Sequence, residues 1–558
     1  MLNLISEQAL ATIVREVKHA ISNLFPANVK PQRLGLAISG GVDSMALATL
    51  TNLIRKDPTF KHTFTAFIVD HKLRDGSAKE AASVTESLEP LGIEPQILRL
   101  DWTGHGDPRG LSNFESVART LRYQALGKAC AAHKIPHLIF GHHADDQAET
   151  VLSRAINGYT GLGLQGIAAT APIPECAGLH GVNRSGTPRL MGGSEGQLLP
   201  SHLEAWRPQP SRNRNAIIAV EDGGVSIHRP LLRYAKKELE GICRSAGVVW
   251  HEDPTNSDKT LTIRNSIRYL QLSDVLPEAL RRSSLVQTAE EVRIKKEEVQ
   301  RHAQMMFEKT PIELDLRSGK ATVTLWTTLQ DFGDMQHTYH VRAEFVRKLL
   351  LLVSPTAEVS LQHLDQCIEM VFAPVDAMRS AAKSVPRTIQ IAGVSVTCAK
   401  SAQHAGLTII LQRQAPVRLA RDSMQCVYSN SGWSEWLLWD HRYWIRVYVD
   451  VAASDPDTTM HMAFLSPDSL GQLRKRYKNM KPRASSLERA LSLVPDRERW
   501  IVPALVSRMH NEDRIVALPS LHWRDLSWEM YETERPRQWE IRYKNIDFPK
   551  TAYHHLIQ

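Results

Sequence analysis

The sequence predicts an α/β protein with a doubly wound parallel sheet, followed by a helical linker and a small C-terminal α+β region. Three observations predict it. From Arg33 to Ala246, apolar strands alternate with amphipathic helices, the order that lays helices on both faces of a parallel sheet. Phe64–Val69, and other strands like it, are near-continuous apolar runs, as strands covered on both faces must be. A Gly-Gly pair stands at the first strand-to-helix turn, in Ile38-Ser39-Gly40-Gly41-Val42-Asp43-Ser44.

That turn carries the first chemistry. Arg33 to Ile38 reads as a strand, and Val42 to Lys56 as a helix with Val42, Met45, Ala46, Leu50, Leu53 and Ile54 largely on one side. Glycines let backbone N–H groups approach a ligand closely because no Cβ intervenes. The helix adds its unpaired N-terminal amides and the positive end of its dipole, and Ser39 and Ser44 add hydroxyls. Together these groups bind phosphate or pyrophosphate. The pattern is not a Walker loop, which needs glycines five apart followed by Lys-Ser/Thr.

The 558 residues exceed one ordinary domain. We place a catalytic domain at 1–275 with an insertion loop at 168–224, a helical and mixed linker domain at 276–415, and a C-terminal domain at 416–558. No apolar run approaches the ~20 residues that span a bilayer, so no membrane partner is expected. A net charge of +8 favours a polyanionic partner. The six cysteines are scattered and form no Cys-x-x-Cys pair, which reads as reduced core residues. The first 25 residues lack a signal-peptide core, and Glu7 and Glu16 dilute any mitochondrial presequence. An intracellular protein is expected, mitochondrial if eukaryotic and cytoplasmic if bacterial. The oligomeric state is left open, with a homodimer among the options.

Taken in order, residues 4–24 have the spacing of a packing helix. The strand ending at Val69 runs into Asp70-His71, and ligands of open α/β sheets sit beyond such carboxyl ends, so both are nucleoside-contact candidates. Pro95 to Leu100 is another strand. The helix after Asn113 carries Arg119 and Arg122 on one face, a candidate surface for phosphate or RNA or a solvated basic face. His137–Phe140 then runs into Gly141-His142-His143-Ala144-Asp145-Asp146-Gln147-Ala148-Glu149. A helix starting near Asp145 puts Asp146 and Glu149 together, which suits a magnesium ion on ATP phosphates or a substrate ammonium group. Zinc is not expected, since adjacent histidines cannot easily share one ion and no thiolate assists.

Residues 168–224 are rich in proline, glycine and arginine without periodicity, and read as a passive surface loop. Beyond 280, a long charged helix (Ala289 to Thr310), an apolar-striped helix (Thr338 to Leu352) and an alternating stretch at 385–413 suggest the linker and a hairpin. Arg474, Lys475, Arg476 and Lys478 surround Tyr477, with Lys481 and Arg483 beyond, a run dense enough to neutralise several backbone phosphates.

Four motifs now stand in order: Ser39–Ser44; Val69-Asp70-His71-x-Leu73-Arg74; Asn113-x-Glu115-x-x-Ala118-Arg119-x-x-Arg122-Tyr123; and Gly141-His142-His143-x-Asp145-Asp146-Gln147-x-Glu149-Thr150. The first resembles the pyrophosphate loop of the N-type ATP pyrophosphatases, a Rossmann-like fold. All four together resemble the catalytic domain of the tRNA(Ile)-lysidine synthetases. The likeness resumes at Ile227-His228-Arg229-Pro230 and at Arg264-Asn265-x-x-Arg268. It is looser over 470–520, where it resembles that family's C-terminal tRNA-binding domain.

The resemblance implies a ligase that forms a carbon–nitrogen bond. With ATP and Mg2+ it would adenylate C2 of the wobble cytidine in a CAU-anticodon tRNA(Ile) and join free L-lysine to it. It further implies Asp43, Asp146 and Glu149 as catalytic residues, with Asp43 and Asp146 on magnesium. Ser39, Gly40, Gly41, Val42, Asp43, Ser44, Asp70, His71 and His142 would bind ATP. Arg119, Arg122, Arg229, Arg264, Arg474, Lys475, Arg476 and Lys478 would contact RNA. A tRNA thiolase on the same loop and an inactive tRNA-binding paralogue are the alternatives. The first would need paired cysteines, which are absent, and the second would not need the three acids, which are present.

Overall fold

The computed structural model describes residues 5–26, 29–72, 76–106, 108–189, 218–251, 263–272, 275–326, 338–377, 387–400, 406–416, 424–425, 432–449, 459–509, 512–525, 539–547 and 554–557. They form two compact units, one of residues 1–183 with 223–298 and one of 184–222 with 299–558.

In the first unit the elements run α1 (Glu7–Ser22), β1 (Arg33–Ile38), α2 (Val42–Arg55), β2 (Thr63–Asp70), α3 (Ser77–Leu88), β3 (Glu94–Arg99), α4 (Phe114–Ala132), β4 (His137–Ile139), α5 (Ala144–Ile156) and β5 (Thr170–Pro172). After β6 (Thr187–Arg189) and β7 (Ala219–Asp222), which belong to the other unit, it resumes with β8 (Ser226–His228), α6 (Lys236–Ser245) and α7 (Ile263–Leu272). The chain leaves through α8 (Arg282–Lys309).

The sheet order is β3-β2-β1-β4-β8-β5, parallel except for β5, which pairs antiparallel with β8. Alternation along β1 explains the two layers. Leu34, Leu36 and Ile38 pack with Val17 and Ile21 of α1, Met45 and Leu50 of α2, and Leu239 and Ile242 of α6. On the opposite face Phe67, Leu138 and Phe140 pack with Tyr123, Leu126 and Cys130 of α4. The doubly wound class is therefore what the sequence predicted. Its strand order reverses between β1 and β4, the switch point at which open α/β sheets bind ligands.

The second unit has sheets of mainly antiparallel strands with helices α9 (Tyr339–Val353), α10 (Asp365–Ala377), α11 (Pro467–Tyr477) and α12 (Lys481–Leu491). The expected hairpin is a three-stranded meander, 387–391, 394–400 and 406–413. The stretch 168–224, read as a loop, differs from that reading in its described parts. β5 extends the first unit's sheet, while β7 pairs with 539–543 and β6 with β7. Strands of three or four residues show no periodicity, and their partners lie far away in sequence, so no local signal marks them.

Arg442 anchors this second core. It is fully buried, and its Nε donates to Asp440 Oδ2 at 2.6 Å. Its two terminal nitrogens donate to the carbonyls of Ser318 (2.8 Å) and Ile501 (2.9 Å). Arg413 completes the pairing of Asp440. Arg442→Met would leave two carbonyls and part of a carboxylate buried without donors. It should destabilise the protein by about 3 kcal/mol, read as a lower urea midpoint by far-UV circular dichroism.

Candidate active site

The loops after β1 and β4 flank the switch point, and they carry the first and fourth motifs. Gly40 has φ +83°, and a Cβ there would lie 2.5 Å from Val84 Cγ2, so conformation and space both require glycine. Gly41 starts α2, its carbonyl accepting from Met45 N–H at 3.0 Å and from Ser44 Oγ at 2.9 Å. Ser39 N–H donates to Ser44 Oγ at 3.2 Å, and the two hydroxyl oxygens are 3.3 Å apart. The loop is thus braced from within by the serines the motif supplies.

The loops meet at Gly141. A Cβ on Gly141 would lie 2.8 Å from the Asp43 carbonyl oxygen, so this glycine lets the β4 loop touch the loop backbone. Two residues on, His143 caps α5. Asp43 Oδ1 and Asp146 Oδ2 both face its Nε2, at 3.4 and 3.6 Å, and Asp145 Oδ2 lies 3.4 Å from Nδ1. Neutral His143 accepts the Asp145 N–H at Nδ1 (3.2 Å), whereas protonated His143 donates from both nitrogens to the acids. Burial opposes the cation, but the pull of Asp145 and Asp43, joined by Asp146, outweighs it and pushes the imidazole up to about 10. The cation is the form this charge selects.

The acids also have partners beyond the four motifs. Asp146 Oδ2 accepts the His143 backbone N–H at 3.1 Å. Arg268 of α7 donates to Glu149 Oε2 at 2.8 Å and reaches Asp146 Oδ1 at 3.5 Å. Asp145 accepts from Lys236 N–H (2.8 Å) and Arg282 (3.0 Å). It is held below the usual carboxylate range because these donors and His143 outweigh its burial. Asp43, Asp146 and Glu149, expected as catalytic, are therefore gathered into one place with Arg268. Arg268 was visible as part of a motif, but nothing in its own surroundings marked it as their partner.

Magnesium can be tested on this geometry. Among the described residues no group of three or more His, Cys, Asp or Glu side chains is arranged to hold a metal ion by itself. A magnesium ion on ATP needs only one or two carboxylates. Asp43 Oδ1 is buried 3.4 Å from His143 Nε2, the imidazole nitrogen that Asp146 also faces. These two acids fit such an ion.

A second group lies around Tyr123. The guanidinium of Arg119 sits 4.8 Å from its ring centroid and that of Arg122 sits 5.4 Å away. Exposed Arg119 also pairs with Glu175 at 3.3 Å. Arg229 donates to Ala168 O (2.7 Å) and to His142 Nδ1 (3.3 Å), and the His142 ring stacks on Phe140. Burial, followed by Arg122, lowers the pKa of His71, whose Nδ1 is buried without a hydrogen-bond partner. Asp70 is buried, and its Oδ1 closes a turn by accepting Lys72 N–H at 3.0 Å.

In the second unit, exposed Arg474, Lys475, Arg476 and Lys478 lie on or just after α11, whose Leu470, Leu473 and Tyr477 face the core. Arg474 is clamped by Glu488 at 2.7 and 3.0 Å, and Arg476 lies 3.6 Å from buried Asp525. The Arg264 side chain lies outside the described residues. Cys130, Cys176, Cys243, Cys367 and Cys398 are buried and unbridged, while Cys426 lies outside the described residues. No helix among the described residues is long and apolar enough to cross a membrane.

Residues 10–182 and 203–276, a little under half of this chain, match the family model of the PP-loop domain. Curated proteins similar to this chain carry the name tRNA(Ile)-lysidine synthase, the family that the motifs resemble. A probable tRNA(Ile)-lysidine synthase of Schizosaccharomyces pombe is 26% identical over 494 residues, 88% of this chain and 91% of that one. A tRNA(Ile)-lysidine synthase of a Bradyrhizobium strain is 32% identical over 229 residues, 41% of this chain and 49% of its own length. The Exiguobacterium sibiricum tRNA(Ile)-lysidine synthase is 29% identical over 44% of each chain, so the match spans about half of these bacterial relatives or less. Among solved structures, a U34-tRNA thiolase of Methanococcus maripaludis with a [4Fe-4S] cluster covers 51% of this chain and 80% of its own at 17% identity and TM-score 0.34.

Two outcomes follow for the junction. Gly141→Ala should cost about 1–3 kcal/mol by pushing the two loops apart, seen as a lower thermal midpoint. The His143 pKa lies above its unfolded value of 6.5. Its stabilising contribution is therefore full below pH 6.5 and lost as pH rises through about 10. The stability gap between wild type and His143→Gln should accordingly narrow between those limits in urea titrations.

Proposed function

We propose that this protein is a ligase that modifies tRNA, a tRNA(Ile)-lysidine synthetase acting on the wobble cytidine of a CAU anticodon. ATP adenylates the C2 oxygen and pyrophosphate leaves. The ε-amine of free lysine then attacks C2, the C2–O bond breaks and AMP departs. Adenylation turns a poor leaving oxygen into a good one, so the protein mainly orients groups and neutralises charge.

The observation that carries the reading is the junction of the two motif loops at the switch point, where Asp43, Asp146 and Glu149 converge beside the pyrophosphate loop. Ser39, Gly40, Gly41 and Ser44 hold the departing pyrophosphate, with Val42 opening the helix behind them. Asp43 and Asp146 would hold magnesium, which when bound neutralises phosphate charge. Glu149, which pairs with Arg268, is assigned to the lysine ammonium group, and a carboxylate of this cluster takes the proton the amine must lose. His71 and His142 line the nucleoside pocket. Arg119, Arg122 and Arg229 approach the RNA there, and Arg264 is assigned to the same task from its motif. On the C-terminal part, 416–558, Lys475 and Lys478 supply phosphate contacts together with Arg474 and Arg476.

The test is pyrophosphate release from ATP by purified protein with lysine and an unmodified CAU-anticodon tRNA(Ile) transcript. Release should require ATP and the tRNA, need lysine to continue beyond one equivalent per enzyme, and fall at least about 100-fold in Asp43→Asn and Asp146→Asn. Glu149→Gln should chiefly raise the KM for lysine. Multiple-turnover release that ignores lysine would instead favour another nucleophile, such as sulfur.

A further inference from the structure

One contact to the pyrophosphate loop comes from outside all four motifs. His251, beyond α6, donates its backbone N–H to the Gly40 carbonyl at 2.9 Å. Its exposed ring is tied in turn to α3, with Nε2 3.3 Å from Ser83 Oγ. The next residue, Val84, fills the space a Gly40 side chain would need, and His251 Cδ2 lies 3.6 Å from that same point. Gly40 is therefore enclosed by α3 on one side and by His251 on the other.

The geometry of the peptide unit gives this contact a consequence. Gly40 C=O and Gly41 N–H belong to one planar trans peptide, in which the two bonds point in opposite directions. Fixing the carbonyl on His251 therefore fixes the Gly41 N–H on the far side. Gly40 has the conformational freedom to let that peptide turn, so an external restraint is what selects one orientation. Gly41 is also the residue whose carbonyl begins α2, so on the pyrophosphate-loop reading its amide is among the donors to the anion.

We infer that His251 and Ser83 form a latch that orients the Gly40–Gly41 peptide toward pyrophosphate. Both are positioning residues, acting through the backbone of the loop. The inference rests on the pyrophosphate-loop reading given above.

Full-length protein would be titrated with inorganic pyrophosphate and, separately, with AMP, and KM for ATP would be measured beside kcat. His251→Pro removes the backbone donor and should weaken pyrophosphate about tenfold, leaving AMP affinity unchanged. His251→Ala and Ser83→Ala keep that donor but cut the tether. Each should weaken pyrophosphate about threefold, with recovery in His251→Gln, whose amide can reach Ser83. KM for ATP should rise more than kcat falls. Pyrophosphate affinity equal to wild type in all the folded variants would overturn the latch, as would equal losses for AMP and pyrophosphate. If His251→Pro does not fold, the Ala and Gln variants decide by the same criteria. A wild-type protein that binds no pyrophosphate would refute the loop reading itself, and the latch with it.

Discussion

Three carboxylates, Asp43, Asp145 and Asp146, surround one buried imidazole, and the candidate site depends on that arrangement. Like charges this close repel strongly in a low-dielectric interior. His143 between them turns repulsion into cohesion, and Arg268 and Arg282 neutralise the outer edges of the cluster. The same contacts bind the loop after β1 to the loop after β4. Without them the two loops would meet only through the backbone at Gly141, and the Asp43 side chain would lose its tie to the acids of α5.

The sheet makes the junction possible. Parallel neighbours β1 and β4 deliver their following loops to the same edge, and Gly141 removes the one side chain that would separate them. Much of this was legible in sequence, because strand-loop-helix units have local signatures: apolar runs, Gly-Gly, and acids at helical spacing. The class of fold and the convergence of Asp43, Asp146 and Glu149 follow from those signatures.

What was not legible depends on partners distant in sequence. His71 and His142 were the histidines assigned to the nucleotide site, and the place of His143 among the acids was not read, while His142 turns to Arg229. The signal lay in the position of His143 immediately before the helix, which sets its ring beside Asp145 and Asp146 of the first turn of α5. The basic run on α11 read as free positive charge, but Glu488 and Asp525 engage Arg474 and Arg476 from elsewhere in the chain. Charge density along a sequence cannot reveal counter-ions brought in by folding. The strands β6 and β7 were missed for the same reason.

The most direct measurement is the identity of the modified nucleoside. An unmodified CAU-anticodon tRNA(Ile) transcript would be incubated with protein, ATP and isotope-labelled lysine, digested, and analysed by mass spectrometry at the wobble position. The proposed activity predicts that cytidine there gains the label through a new carbon–nitrogen bond and that other cytidines do not. Unchanged cytidine despite ATP turnover, or label at other positions, would contradict it.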